Sequence, residues 1–487
     1  MNRKKFLQII TLSTSGGVLF GVDSLLQSCN SNNMGMGNMD MNMNGNTNII
    51  EGTFENILSF PETHSSPLTL TAQFVQSSMG ELNGLGYHSD RILGPTLLAN
   101  KGDSINIRFV NSLTEPSNIH WHGLMIPSDM DGHPSDVITS GNSFTYTFIA
   151  NQRAGLYWYH PHPDAFTAKQ VYRGLAGLLV IRDSEESSLA LPAGEREVFM
   201  VIQDKDIANG TVQYSPSMMQ QMSGLLGKYV FVNGAYSPRY FVKNGKYRLR
   251  ILNGSNARIY NIAFSNNMPF SVIGSDGGLL PDAVSVNEVL LAPGERIDII
   301  ADFAQIGLNN NVFLLSKMFS SGGSQGKQQY NIIKFVVNAE ANDNTNVPNH
   351  LSDIQKLDTA TSLTNRYFTI TSGMMMQHTI NNKTYDMNRI DAVVKSNSVE
   401  VWIFDNTNGS EPHPIHLHGA MFQVVERSGG RGMVFPHEYG WKDTILCLSG
   451  EKVKILVQFG EYKGTYVFHC HNLEHEDAGM MLQYKIT

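Results

Sequence analysis

At 487 residues the chain exceeds what one hydrophobic core serves, so two to four domains are expected. It is 41% hydrophobic and only 16% charged, with 44 Gly and 18 Pro, a balance that suits short strands and tight turns better than long surface helices. A net charge of -8 without a long basic stripe argues against nucleic acid as a partner, and three scattered cysteines exclude a disulfide framework.

The chain opens on Arg3, Lys4 and Lys5, followed by a mostly apolar run from Phe6 to Leu26 and then Leu26-Gln27-Ser28-Cys29. Residues 1–29 resemble a bacterial lipoprotein signal, which would make Cys29 the lipidated first residue of a mature protein on the periplasmic side of the cell envelope. The head Asn2-Arg3-Lys4-Lys5-Phe6-Leu7 is also similar to a twin-arginine export signal with lysine in place of the second arginine. Cleavage without lipidation, leaving a soluble periplasmic protein, is the alternative. No second apolar stretch is long enough to span a bilayer. Residues 30–54 are rich in Met, Asn and Gly and are expected to be a disordered tether. The thioethers of Met34, Met36, Met39, Met41 and Met43 are soft ligands for Cu(I), so the tether could also collect cuprous ion.

Beyond the tether, segments of one character recur. Ser104–Leu113 (SINIRFVNSL), Tyr247–Ser255 (YRLRILNGS) and Val399–Thr407 (VEVWIFDNT) each run as a strand into a turn containing Asn111, Asn253 or Asn406, 142 and 153 residues apart. A second set places Gly141, Gly294 and Gly450 before alternating strands, 153 and 156 residues apart. One β-domain is therefore used three times, over about 55–188, 189–350 and 351–487. Each copy is about the size of a two-sheet sandwich.

The first and third copies share more. Ile119-His120-Trp121-His122-Gly123 matches Ile415-His416-Leu417-His418-Gly419, and the segment around His160 and His162 matches that around His469, Cys470 and His471. The middle copy has neither histidine pair and is expected to be a spacer without ligands. Alternate side chains of a strand share a face, so the four HxH pairs present eight imidazoles that can meet if the first and third domains pack together. Cys470 lies between His469 and His471 and should face the other way, in a separate site. His413, His475 and Met480 are candidates to join it, and a thiolate with two imidazoles and a weak axial thioether is a blue-copper ligand set. Zinc needs fewer ligands than these, and packing does not explain so many clustered histidines.

HWHG at 120, WYHPHP at 158, HPIHLHG at 413 and HCHNLEHEDAGMM at 469 closely resemble the four copper motifs of three-domain multicopper oxidases, whose relatives include laccases, bilirubin oxidases and bacterial cuprous oxidases. The resemblance spans about residues 70–487. It implies an all-β chain of three consecutive cupredoxin-like Greek-key β-sandwich domains holding four copper ions. Type 1 copper would take His413, Cys470, His475 and axial Met480, and type 2 copper His120 and His416. The type 3 pair would take His122, His160 and His471 on one side, with His162, His418 and His469 on the other. Asp131 and Glu476 match the family's proton-relay acids.

The activity so implied couples four one-electron oxidations to reduction of dioxygen to water. GWKDT at 440–444 and the HEDAGMM ending are most similar to the cuprous-oxidase group, implying Cu(I) as reductant and a role in copper tolerance; phenols and aromatic amines are the laccase-like or bilirubin-oxidase-like alternative. Glu411 could bind substrate, and Met218, Met219 and Met222 form either a soft patch or packing. Met374, Met375, Met376 and Met387 are too few for the Met-rich helix often found in that group. A copper-storage or electron-transfer cupredoxin would need only the Cys470 site. A monomer is expected.

Overall fold

The computed structural model describes residues 48–76, 82–88, 90–323, 325–362, 364–372 and 378–487. Cys29, the methionines of the 30–47 segment, and Met374, Met375 and Met376 lie outside these residues. Within them, six sheets pair into three β-sandwiches. Period-two alternation builds each one: Ser104–Asn111, for instance, buries Ile105, Ile107 and Phe109 and turns Ser104, Asn106 and Arg108 outward. The three cores centre on Leu70 to Ile181, Val198 to Val337 and Phe368 to Ile486.

The repeated asparagines and glycines have one structural cause. Asn111 Nδ2 donates to the carbonyls of Glu115 and Ile138, Asn253 Nδ2 to those of Arg258 and Leu291, and Asn406 Nδ2 to those of Glu411, Cys447 and Leu448. Each side chain thus satisfies buried carbonyls where its strand leaves the sheet. The backbone N–H of Gly141, Gly294 and Gly450 returns to the carbonyl of Asn111, Asn253 and Asn406 respectively, at 2.7, 3.0 and 3.0 Å. All three glycines have φ near +80° (79°, 83° and 77°), a conformation that side-chain-bearing residues rarely adopt.

The tether expected over 30–54 is corrected at its end, because residues 48–54 are packed. Ile49 is in the middle core, the Ile50 N–H bonds the Lys228 carbonyl at 2.8 Å, and Phe54 meets Phe313 edge-on at 5.1 Å. The physical reason is apolar bulk: Ile49 and Phe54, both buried, end the polar run. The next strand, Asn56–Ile57, then pairs in parallel with Pro238–Arg239. The described chain therefore starts in the middle sandwich before entering the first, an exchange that a linear boundary at 55 does not express.

Three short helices converge at one place. Leu473–Asp477, from the third sandwich, packs against Thr167–Tyr172 of the first and Met218–Ser223 of the middle one. The Asp477 carboxylate accepts from the N–H groups of Thr167 and Ala168 at 3.0 and 3.1 Å, and Leu473 buries against Ala168 and Val171. No helix among the described residues is long and apolar enough to cross a membrane.

Candidate metal centre

Strand register assembles the histidines. His120 stands opposite His160 in one antiparallel ladder and His416 opposite His469 in another, with Cys470 opposite Ile415. The first and third sandwiches then meet ring to ring: His120 stacks on His418 at 3.6 Å and His122 on His416 at 3.7 Å. His120, His122, His160, His162, His416, His418, His469 and His471 are all buried in one cluster.

Hydrogen bonds on the outer nitrogens fix which inner nitrogens carry lone pairs. His120 Nδ1 donates to the Asp131 carbonyl at 2.8 Å, and His416 Nδ1 to the Asp443 carbonyl at 2.9 Å. Their Nε2 atoms therefore face each other at 3.3 Å as two acceptors without a proton between them. His469 Nδ1 donates to the Cys470 carbonyl at 3.1 Å and His418 Nδ1 lies 2.7 Å from Asp131 Oδ2, leaving the two Nε2 atoms opposed at 3.2 Å. His162 Nε2 joins them, 3.1 Å from His469 Nε2.

On the remaining side, His122 donates through Nε2 to Asp443 Oδ1 at 3.0 Å and His160 through Nδ1 to the Pro161 carbonyl at 2.9 Å. His122 Nδ1, His160 Nε2 and both nitrogens of His471 have no hydrogen-bond partner, with the three rings 5.0–5.7 Å apart. Opposed lone pairs and buried orphan nitrogens are costly in a metal-free protein but fit cations held between them. Two nitrogens bonded at about 2.0–2.1 Å to one tetrahedral ion stand roughly 3.3 Å apart, the spacing seen here. Burial and neighbouring imidazoles hold His120, His122 and His471 well below the usual histidine range, and burial takes His160 down to about 3, so these rings are neutral and ligand-ready.

On the other face of the same strand, Cys470 Sγ lies 3.4 Å from His413 Nδ1 and 3.6 Å from His475 Nδ1. Met480 is buried beside them, its N–H bonded to the His475 carbonyl at 2.9 Å and its carbonyl to the Cys470 N–H at 3.1 Å. Burial pushes the Cys470 thiol well up, so a thiolate here requires an adjacent cation. Cys447 is also buried, its thiol pushed up to about 12 by burial, and acts as a small apolar residue.

Multicopper oxidase family models match residues 77–186, 182–339 and 360–487. A multicopper oxidase of Staphylococcus haemolyticus is 40% identical over 409 residues, covering 83% of this chain and 84% of the relative. The chain belongs to the multicopper oxidases. A laccase of Bacillus subtilis is 32% identical, covering 81% of this chain and 88% of that one. The crystal structure of McoA from Aquifex aeolicus superposes with a TM-score of 0.83 at 33% identity, covering 89% of this chain and 99% of that one. The sandwiches are thus cupredoxin-like, the buried histidine clusters are those of a copper enzyme, and the oxidase couples substrate oxidation to dioxygen reduction.

Two carboxylates border the oxidase's cluster. Asp131 is buried, and burial, reinforced by Asp136, raises its carboxyl well above the usual range; its Oδ1 accepts no hydrogen bond and lies 3.6 Å from His120 Nδ1. Glu476 Oε2 lies 3.1 Å from His469 Nδ1 and its Oε1 3.5 Å from His162 Nε2. Glu411 is half-buried next to Gly323 of the middle sandwich, and burial raises its carboxyl.

Other residues at the site were not singled out in the sequence. Asp443, read only as part of a subgroup motif, fixes His122 and accepts two N–H groups from Arg296 at 2.7 and 2.5 Å. Burial alone would raise Asp443, but Arg296 and His122 hold its carboxyl well below the usual range. Arg296 belongs to the middle sandwich, so that domain reaches the cluster although it offers no imidazole. Gly294 is equally close: a Cβ there would stand 3.0 Å from His471 Cδ2. The packing reading of the methionine patch is corrected for Met218 and Met219, which are 73% and 49% exposed, while the Met222 carbonyl accepts from His475 Nε2 at 2.6 Å.

Proposed function

We propose that this multicopper oxidase would hold type 1 copper with Cys470, His413, His475 and Met480, and type 2 copper with His120 and His416. In this reading the type 3 pair rests on His122, His160 and His471 and on His162, His418 and His469, giving four coppers per chain. The observation that carries it is one strand whose thiolate meets His413 and His475 on one face while His469 and His471 enter the eight-imidazole cluster on the other. Bound copper would cycle between Cu(I) and Cu(II), accepting single electrons at the thiolate site and reducing dioxygen at the cluster.

The protein supplies orientation, dryness and protons. The Asp131 and Asp443 carbonyls aim His120 and His416, and the full burial of all eight rings excludes bulk water. Asp131 and Glu476 lie close enough to His418 and His469 to hold the protons that water formation consumes. Cuprous ion is the favoured reductant, because Met218 and Met219 expose thioethers on the helix whose Met222 carbonyl touches His475. Phenols and aromatic amines are the second reading, supported by the similarity to a protein named laccase. A periplasmic, Cys29-lipidated enzyme serving copper tolerance completes the proposal.

Dioxygen uptake by the copper-loaded protein, with Cu(I), a substituted phenol and bilirubin compared side by side, tests it. Fastest turnover on Cu(I) is expected. Faster turnover on the phenol or bilirubin would replace the cuprous reading, and a loaded protein that consumes no dioxygen with any of them would overturn the whole assignment.

A further inference from the structure

The copper ligand His475 is not the outermost group of its site. It is 1% exposed, and its Nε2–H is taken by the Met222 carbonyl. A third imidazole, His378, lies against it with ring centroids 4.0 Å apart and planes inclined by 35°, and sits 5.0 Å from the His413 ring. His378 Nε2 donates to the same Met222 carbonyl at 2.7 Å. One carbonyl oxygen thus uses both lone pairs on two adjacent imidazoles, tying the middle sandwich to a strand, His378–Ile380, and to the helix Leu473–Asp477 of the third.

Burial of a histidine in a core is ordinarily explained by packing among apolar groups. His378 is instead packed on two imidazoles of the site and hydrogen-bonded in parallel with one of them. At 6% exposed it is also nearer to solvent than His475. His413, the third ring of the group, is fully buried, so His378 is the outermost of the three imidazoles.

We propose that His378 is the contact imidazole of this oxidase, the ring through which the electron from the reductant reaches His475. The inference rests on the copper assignment above and deepens it. In the step, one electron would leave the reductant, and copper held by Cys470, His413 and His475 would accept it, passing from Cu(II) to Cu(I). A cuprous donor leaves as Cu(II), and a phenol leaves as its phenoxyl radical with the hydroxyl proton passing to solvent. His378 neither gains nor loses an atom, and its role is contact and coupling across the two adjacent rings.

The test is anaerobic rapid mixing of the copper-loaded protein with Cu(I) in acetonitrile buffer or with hydroquinone, following loss of the thiolate-to-copper absorption. The potential of that site is measured alongside. His378→Leu, which fills the volume without a conjugated ring, is expected to slow reduction by about tenfold or more with the absorption and potential unchanged. His378→Gln keeps an N–H for the Met222 carbonyl but no ring, and is expected to be as slow. A His378→Gln protein reducing at the wild-type rate would overturn the proposal by showing that only the hydrogen bond matters. A shift in potential large enough to account for the slowing would overturn it as well. Wild-type protein without the absorption would instead bring down the underlying copper assignment, and this inference with it.

Discussion

Replacing Asp443 by asparagine should loosen both a domain joint and a copper ligand, and the structure sets the size of each effect. The carboxylate accepts two N–H groups from Arg296, one from His122 at 3.0 Å and the Thr444 hydroxyl at 2.9 Å. Asparagine keeps the shape, but its amide must turn N–H groups toward either Arg296 or His122, donor against donor. Breaking a buried ion pair from one side typically costs about 3–5 kcal/mol. Asp276, whose carboxylate lies 3.7 Å from Arg296, stays behind as a partial partner, so the lower end is expected, about 3 kcal/mol. Loss of the acceptor that aims His122 should lower copper affinity by about 10–100-fold. Copper retained across a graded chelator series measures the second effect, and calorimetry of the copper-free protein the first. Adding Arg296→Met removes the unpaired charge and frees the amide to turn its oxygen toward His122, so it should restore much of the stability and part of the copper affinity. Wild-type copper retention together with a wild-type unfolding temperature in Asp443→Asn would refute this account.

Met480→Leu removes the thioether proposed as a ligand and is expected to raise the potential of the Cys470 site, read by redox titration; an unchanged or lower potential counts against Met480 as a ligand. Asp131→Asn and Glu476→Gln should keep the thiolate-to-copper absorption while slowing dioxygen reduction by about 10²–10⁴-fold, and full turnover in either would remove that residue from the proton supply. Phe54→Ala deletes a buried ring packed edge-on against Phe313 and should destabilise the middle sandwich by about 3–5 kcal/mol, measured by denaturant unfolding of the copper-free protein. A loss below about 1 kcal/mol would mean that residues 48–54 are only loosely seated.

Local sequence was enough for whatever repeats or alternates. The Asn–Gly pairs disclosed three copies because each copy must satisfy the same carbonyls at the same turn, and the HxH pairs disclosed the cluster because a strand presents alternate residues to one face. What escaped was built from distant parts. Asp443 and Arg296 are 147 residues apart and become partners only when the middle and third sandwiches dock. His378 sits in no motif, and its meaning comes from the ring it lies on. Ile49 and Phe54 carried a signal, apolar bulk at the close of a polar run, that a composition average over 30–54 diluted.

The parallel pairing of Asn56–Ile57 with Pro238–Arg239 also decides where force enters the molecule. Any pull on the leading end of the chain is taken up by the middle sandwich, which carries no imidazole of the cluster. The seam between the outer two, where His120 lies on His418 and His122 on His416, is left out of the line of tension.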